Sequence, residues 1–236
     1  MTVEQKVAVV TGASRGIGAG IVEGYRKQGY AVVATSRSIP ASDDPQVHTV
    51  RGDLADPDTA ARVVDAALER FGRIDTLVNN AGLFLAKPFT AYTDDDFAAM
   101  IGLNLTGFFA ITRRAVVPML EQGAGHVLTI TTSLVDHALS AVPSVLASLT
   151  KGGLDAATRS LAVEYAGTGV RVNAVSPGII KTPMHPVEAH GAYATLHPMG
   201  RMGEVEEIVH AALYLETAAF VTGETLHVDG GQSAGH

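Results

Sequence analysis

The chain contains no cysteine. That excludes thiolate metal sites and a cysteine nucleophile, and nothing points to an oxidising compartment. Basic side chains are in deficit, 17 Lys and Arg against 24 Asp and Glu for a formal net charge of -7, which argues against nucleic acid or an anionic membrane as partner. No apolar run approaches the roughly 18 to 20 residues of a membrane span. The opening MTVEQKVAVVTG lacks the basic region, apolar stretch and small-residue cleavage site of a secretory signal. Interdomain linkers, internal repeats and low-complexity tracts are missing too. These absences lead us to expect a soluble, cytoplasmic protein whose partner is a small molecule.

What remains is a chain of 236 residues with 47% hydrophobic content, enough for one large domain over 1–236 that needs no disulfide or metal staple. Short β-rich runs occur at 6–10, 30–35, 47–50, 74–79, 126–131, 170–175 and 224–229. Segments of helical period fall between them, at about 17–28, 57–70, 94–121, 145–165 and 204–216. Near-continuous Val/Ile/Leu strands alternating with helices predict an α/β fold, a Rossmann-like doubly wound parallel sheet of about seven strands with helices on both faces. Asp56-Pro57 reads as an N-cap followed by proline at the first helical position, and Gly29 and Gly72 stand where C-terminal caps belong. Residues 177–203, punctuated by four prolines, read as a binding loop, with the substrate segment at about 178–203.

The first strand runs into Thr11-Gly12-Ala13-Ser14-Arg15-Gly16-Ile17-Gly18 and then a helix. Glycines at this junction permit a tight turn and let backbone N–H groups approach a pyrophosphate at the helix N-terminus. A carboxylate near the end of the second strand would bond a ribose 2′-hydroxyl, but the chain has Thr35-Ser36-Arg37-Ser38 there. Arg37, with Arg15 in reach, suits a 2′-phosphate, so NADP(H) is expected over NAD(H).

By these residues the whole chain resembles the classical short-chain dehydrogenase/reductase family. The resemblance extends to Gly52-Asp53-Leu54 and Asn79-Asn80-Ala81-Gly82, to Asn104 in "LNLTG", to "VNAVSPGIIKTP" and to "TGETLHVDGG". It implies hydride transfer between nicotinamide and a carbonyl or alcohol carbon. It implies cofactor contacts at Gly12, Ser14, Arg15, Gly16, Ile17, Gly18, Arg37, Asp53, Leu54, Asn80, Ala81, Gly82, Lys151, Pro177, Gly178, Ile180 and Thr182. It also implies a homodimer or homotetramer built on the helix at 94–121 and the helix carrying Lys151, with Met100, Phe108 and Phe109 in core or subunit contacts.

The family handles the proton with serine, tyrosine and lysine, and an asparagine holds a water in the relay. Ser133, Lys151 and Asn104 match. The tyrosine belongs four residues before the lysine, on the same helix face, and Ala147 stands there in "SVLASLTKGG". Ser133 also lies one residue further from that position than the commonest family spacing, so the intervening loop is expected to be rebuilt.

Three readings stay open. Another group supplies the proton: Asp136 or His137, just after Ser133, or Tyr193, His185, His190 or His197 from the loop, or a water in space left by Ala147. Alternatively the acceptor needs no strong acid, as with a protonated imine or a conjugated, quinone-like compound, and Asp136 would suit a cation. The third reading is a lyase-like enzyme without net redox, or a non-catalytic NADP(H)-binding protein. The histidines of the loop have no regular metal-ligand spacing, and no metal site is expected.

Overall fold

A computed structural model describes residues 4–235. Seven strands form one sheet: β1 (Val7–Thr11), β2 (Ala31–Ser36), β3 (Val47–Arg51), β4 (Thr76–Asn79), β5 (Gly125–Ile130), β6 (Val170–Pro177) and β7 (Thr225–Val228). Their order is β3-β2-β1-β4-β5-β6-β7, and every neighbouring pair is parallel. The helices are α1 (Gly16–Lys27), α2 (Pro57–Phe71), α3 (Asp94–Met100), α4 (Phe108–Gln122), α5 (Val145–Tyr165), α6 (His190–Ala194) and α7 (Val205–Thr217). None of the described helices is long and apolar enough to cross a membrane.

Alternation along the strands divides the core into two layers. Val9, Val33, Leu77, Val127 and Val172 face α2 and α4, where they meet Val63, Ala67, Ile111, Ala115 and Met119. Their neighbours Ala8, Val10, Val32, Ala34, Val78, Leu128 and Val175 face α1 and α7, against Ile21, Tyr25, Ile208 and Leu215. Both faces are buried, which is why the strands read as unbroken apolar runs. The chain leaves β1 toward β2 and β3, then returns to place β4 on the other flank of β1. That reversal opens a crevice at the carboxyl ends of β1 and β4.

Helix ends follow the sequence signals. Asp56 accepts from the Asp58 N–H at 3.1 Å with Pro57 in the first turn, and Gly72 closes α2 at φ 77°. Thr93 and Asp96 form a reciprocal capping box on α3. One expectation needs correcting: the helix at 94–121 is not uniform. Between α3 and α4, residues Ile101–Gly107 widen into a π-helix, because Asn104 is tied to groups outside its own helix, as described below.

At the amino ends of the strands lies a buried polar knot. Glu216, from α7, accepts hydrogen bonds from Tyr25 Oη (3.1 Å), Tyr30 Oη (2.9 Å), Thr76 Oγ1 (2.9 Å) and His126 Nδ1 (2.9 Å). Burial holds His126 below its usual pKa, and its Nε2 meets Asn173 Nδ2 at 3.2 Å. A neutral His126 that donates from Nδ1 and accepts at Nε2 satisfies both contacts. Burial alone would raise the Glu216 carboxyl, but hydrogen bonds from His126, Thr76 and Tyr30 hold it at about 2.

Candidate active site

A cleft of about 660 Å³ runs along the carboxyl edge of the sheet. One end is the turn between β1 and α1. Gly12 adopts φ 63°, and a Cβ on Gly18 would lie 2.2 Å from the Gly12 carbonyl oxygen, so neither position accommodates a side chain without moving the turn. Asn80 Nδ2 donates to the carbonyls of Thr11 (3.0 Å) and Gly12 (3.1 Å), which locks this turn to the end of β4. No side chain caps α1, so its leading N–H groups are open to an anion. Thr35 Oγ1, also at the cleft wall, is buried without a partner among the described residues. This cradle fits a dinucleotide.

All the residues expected at the cofactor end line this one cleft: Gly12, Ser14, Arg15, Gly16, Ile17, Gly18, Arg37, Asp53, Leu54, Asn80, Ala81, Gly82, Lys151, Pro177, Gly178, Ile180 and Thr182. Ser36 and Ser38 line it beside Arg37. The Arg37 side chain is 73% exposed and only loosely paired, at 3.9 Å from Asp53 Oδ2. Its guanidinium is free to engage an anionic ligand.

At the other end of the cleft are Ser133 and Lys151. Lys151 Nζ donates to the Ile130 carbonyl at 2.7 Å, and burial pushes its ammonium down to about 8. Ser133 Oγ donates to Gln232 Oε1 at 2.9 Å. Asn104 lies behind the wall rather than in it. Its Oδ1 accepts from the Leu83 N–H at 2.7 Å, while Nδ2 donates to the Leu83 carbonyl and to Thr150 Oγ1, both at 3.0 Å. These ties hold the π-helix to the loop after β4 and to α5 immediately before Lys151. A Cβ at Gly82 would sit 3.4 Å from both Asn104 Oδ1 and Lys151 Nζ, so the two groups converge on that glycine.

Ala147 does not open onto the cleft. It is fully buried with Met100 and Leu146, and Leu83, Phe84, Leu85 and Tyr92 pack against that cluster. The expectation of free space at this position is therefore corrected: apolar side chains fill it, and Tyr92 is fixed by donating to the Leu85 carbonyl at 2.7 Å.

Asp136 and His137 are corrected as well. A 3-10 turn at Ser133–Val135 folds back so that the N–H groups of both residues donate to the Ser133 carbonyl, at 3.1 and 2.9 Å. Neither residue lines the cleft, and Asp136 Oδ2 meets His227 Nε2 at 3.0 Å. Leu83, Phe84, Leu103, Leu134, Leu139 and Val142 supply apolar wall.

The loop at 178–203 also sorts its candidates. His197 is buried, accepting from the Ile179 N–H at 2.9 Å and contacting the Tyr193 carbonyl at 3.0 Å through Nδ1. With both nitrogens engaged it staples the loop. His190 Nε2 lies 3.2 Å from the His185 carbonyl and is outside the cleft wall. His185 and Tyr193 do line the cleft, with ring centroids 5.2 Å apart in an edge-to-face arrangement. Burial lowers the pKa of His185, whose Nδ1 contacts the Ile180 carbonyl at 2.9 Å. A bridge between Ile180 and Gly203 closes the base of the loop.

Two contributors escape sequence reading. Thr150 looks like filler beside Lys151, and Gln232 follows a motif that draws the eye to its glycines. Nothing in the local sequence marks it, since TGETLHVDGGQS is polar at several positions.

Comparison with known proteins agrees with this geometry. Residues 12–233 match the family model described as enoyl-(acyl carrier protein) reductase. The chain is 32% identical to 3-oxoacyl-[acyl-carrier-protein] reductase of Thermotoga maritima, over 98% of this chain and 99% of that protein. Among solved structures, ElxO with NADP bound superposes with a TM-score of 0.90 at 28% identity, covering 98% of this chain and all of that one. The 3-ketoacyl-(acyl-carrier-protein) reductase of Brucella melitensis complexed with NADH gives the same TM-score and identity over 98% of this chain and 99% of its own.

Proposed function

Because the chain belongs to the short-chain dehydrogenase/reductase family of oxidoreductases, we propose that it is an NADP(H)-dependent member that delivers hydride to a small carbonyl, imine or conjugated acceptor without a tyrosine acid. The observation that carries this reading is the division within the site. The cleft runs unbroken from the glycine turn to Ser133 and Lys151, while position 147 is a fully buried alanine that does not line it.

The bound nicotinamide supplies the hydride. The protein's own residues do the rest. The turn at Gly12 and the open end of α1 hold the pyrophosphate, and Arg37 with Ser36 and Ser38 supports a 2′-phosphate. Lys151, aimed beside Gly82, holds the ribose and keeps a positive charge near the reacting end. Ser133 and its partner Gln232 face the acceptor. General acid catalysis is typically worth about 10² to 10⁴ in rate, so an enzyme lacking the phenol favours acceptors that tolerate its loss.

The test is to measure NADPH and NADH binding by fluorescence, then NADPH oxidation with simple ketones, cyclic imines and quinone-like acceptors. Tight NADPH binding with conjugated acceptors or imines outpacing simple ketones is expected. Binding without turnover of any of them would favour a non-redox enzyme or a non-catalytic binder instead. Exposed Phe109, Val117 and Leu120 on α4 and Leu149 and Val163 on α5 support a homodimer or homotetramer.

A further inference from the structure

The segment after β7 is built to place one side chain. Burial would raise the Asp229 carboxyl, but hydrogen bonds from Ser233 and Gly231 hold it below the usual range. Its oxygens accept from the N–H groups of Gly231 at 2.9 Å and Ser233 at 2.7 Å. The turn thus fixed sets Gln232 into the cleft wall beside Ser133, a residue 99 positions earlier in the chain.

Gln232 is 1% exposed, and its Nε2 has no hydrogen-bond partner among the described residues. A buried donor left unpaired is costly, and a protein tolerates it where a ligand will complete the bond. The amide can also be read in its flipped orientation. Nε2 would then donate to Ser133 Oγ, and the Ser133 hydroxyl hydrogen would be released toward the cleft. In either orientation the pair has two donor hydrogens left over.

We propose that Ser133 and Gln232 together form the donor that binds the oxygen of the hydride acceptor, with Gln232 supplying a hydrogen bond from the C-terminal turn. The proposal rests on the oxidoreductase reading and narrows its acceptor class. An amide N–H stabilises the negative charge that grows on a carbonyl or quinone oxygen, but it does not surrender its proton. The proton that completes the alcohol or hydroquinone comes from water. A protonated imine would direct its own N–H against this donor and fits less well.

The experiment compares wild type with Gln232→Met and Gln232→Glu, using NADPH with cyclohexanone and with para-benzoquinone. Loss of one preorganised donor lowers kcat by about 10² to 10³, and NADPH affinity should be unchanged in both variants. Gln232→Glu can regain a donor when its buried carboxyl is protonated. Its activity should rise as pH falls, a profile that Gln232→Met cannot show. A readout independent of turnover is the Gln232 side-chain amide NMR resonance in the NADP⁺ form, which cannot reduce a ketone. Adding cyclohexanone should shift it.

Turnover within about threefold of wild type in both variants would overturn the proposal. So would a Gln232 resonance that stays still while backbone amides of the cleft move. If wild type turns over no acceptor, the oxidoreductase reading fails on its own, and the amide resonance still decides whether Gln232 binds the oxygen.

Discussion

Lys151 Nζ is anchored to the Ile130 carbonyl at 2.7 Å, one helical turn beyond a fully buried alanine that does not line the cleft. Burial places the ammonium at about 8, below its ordinary 10.5. If its charge serves the cofactor and acceptor, kcat/KM should fall about tenfold per pH unit above that value. Stability should move the other way. Between about 8 and 10.5 the unfolded chain holds a proton that the folded chain has released, so stability rises with pH over that window. Lys151→Met should flatten the rise in urea titrations across that range and weaken NADPH binding. An unchanged slope would contradict the assignment.

Arg37 should set cofactor choice. A charge-assisted hydrogen bond contributes about 1.5 to 3 kcal/mol, and because this side chain is largely exposed the low end applies, roughly a tenfold change in Kd. Arg37→Ala is expected to weaken NADPH by about that factor and leave NADH nearly untouched. Equal losses for both cofactors would place Arg37 outside the 2′-phosphate site.

Putting tyrosine at position 147 should not restore the family's chemistry. Met100, Leu146, Phe84 and Tyr92 occupy the surroundings of Ala147, and overpacking a filled core costs about 1 to 3 kcal/mol. Ala147→Tyr is therefore expected to lower the thermal midpoint with no gain in ketone reduction. A clear gain would mean that the ring had found a way into the cleft.

The Glu216 knot should account for much of the acid sensitivity. Glu216→Gln presents amide hydrogens to groups that already donate, at a cost of about 2 to 4 kcal/mol. The carboxyl sits at about 2 in the folded chain against an ordinary 4.5. Its contribution is complete above the higher value and disappears as pH falls toward the lower. Wild type and variant should converge in urea denaturation over that interval. A constant difference would show that the carboxylate charge is not the cause.

Much of this architecture is legible in the sequence because local chemistry and tertiary role coincide. VAVVT is a buried strand whichever neighbours it has, Asp56-Pro57 announces a helix start, and the glycine turn carries its purpose in its backbone. What stayed hidden depends on distant partners. Nothing local distinguishes IGLNLTG from an ordinary helix; the π turn appears because Asn104 grips Leu83 and Thr150. Asp136 and His137 follow Ser133 directly in the chain, yet neither lines the cleft. Gln232 acquires meaning only against Ser133, and Glu216 only against four side chains drawn from α1, the start of β2, β4 and β5.

The bridge between Ile180 and Gly203 has a further consequence. The Lys181 N–H donates to the Gly203 carbonyl at 2.9 Å, and the Gly203 N–H donates to the Ile179 carbonyl at 3.0 Å. The two ends of the intervening segment therefore meet at fixed points whatever lies between them. Doubling the length of such a segment adds only about 0.6 kcal/mol of closure entropy. Residues 183–196, between the cleft residue Thr182 and the His197 staple, are in effect an exchangeable cassette, and grafting in a shorter or longer one is a route to new acceptors.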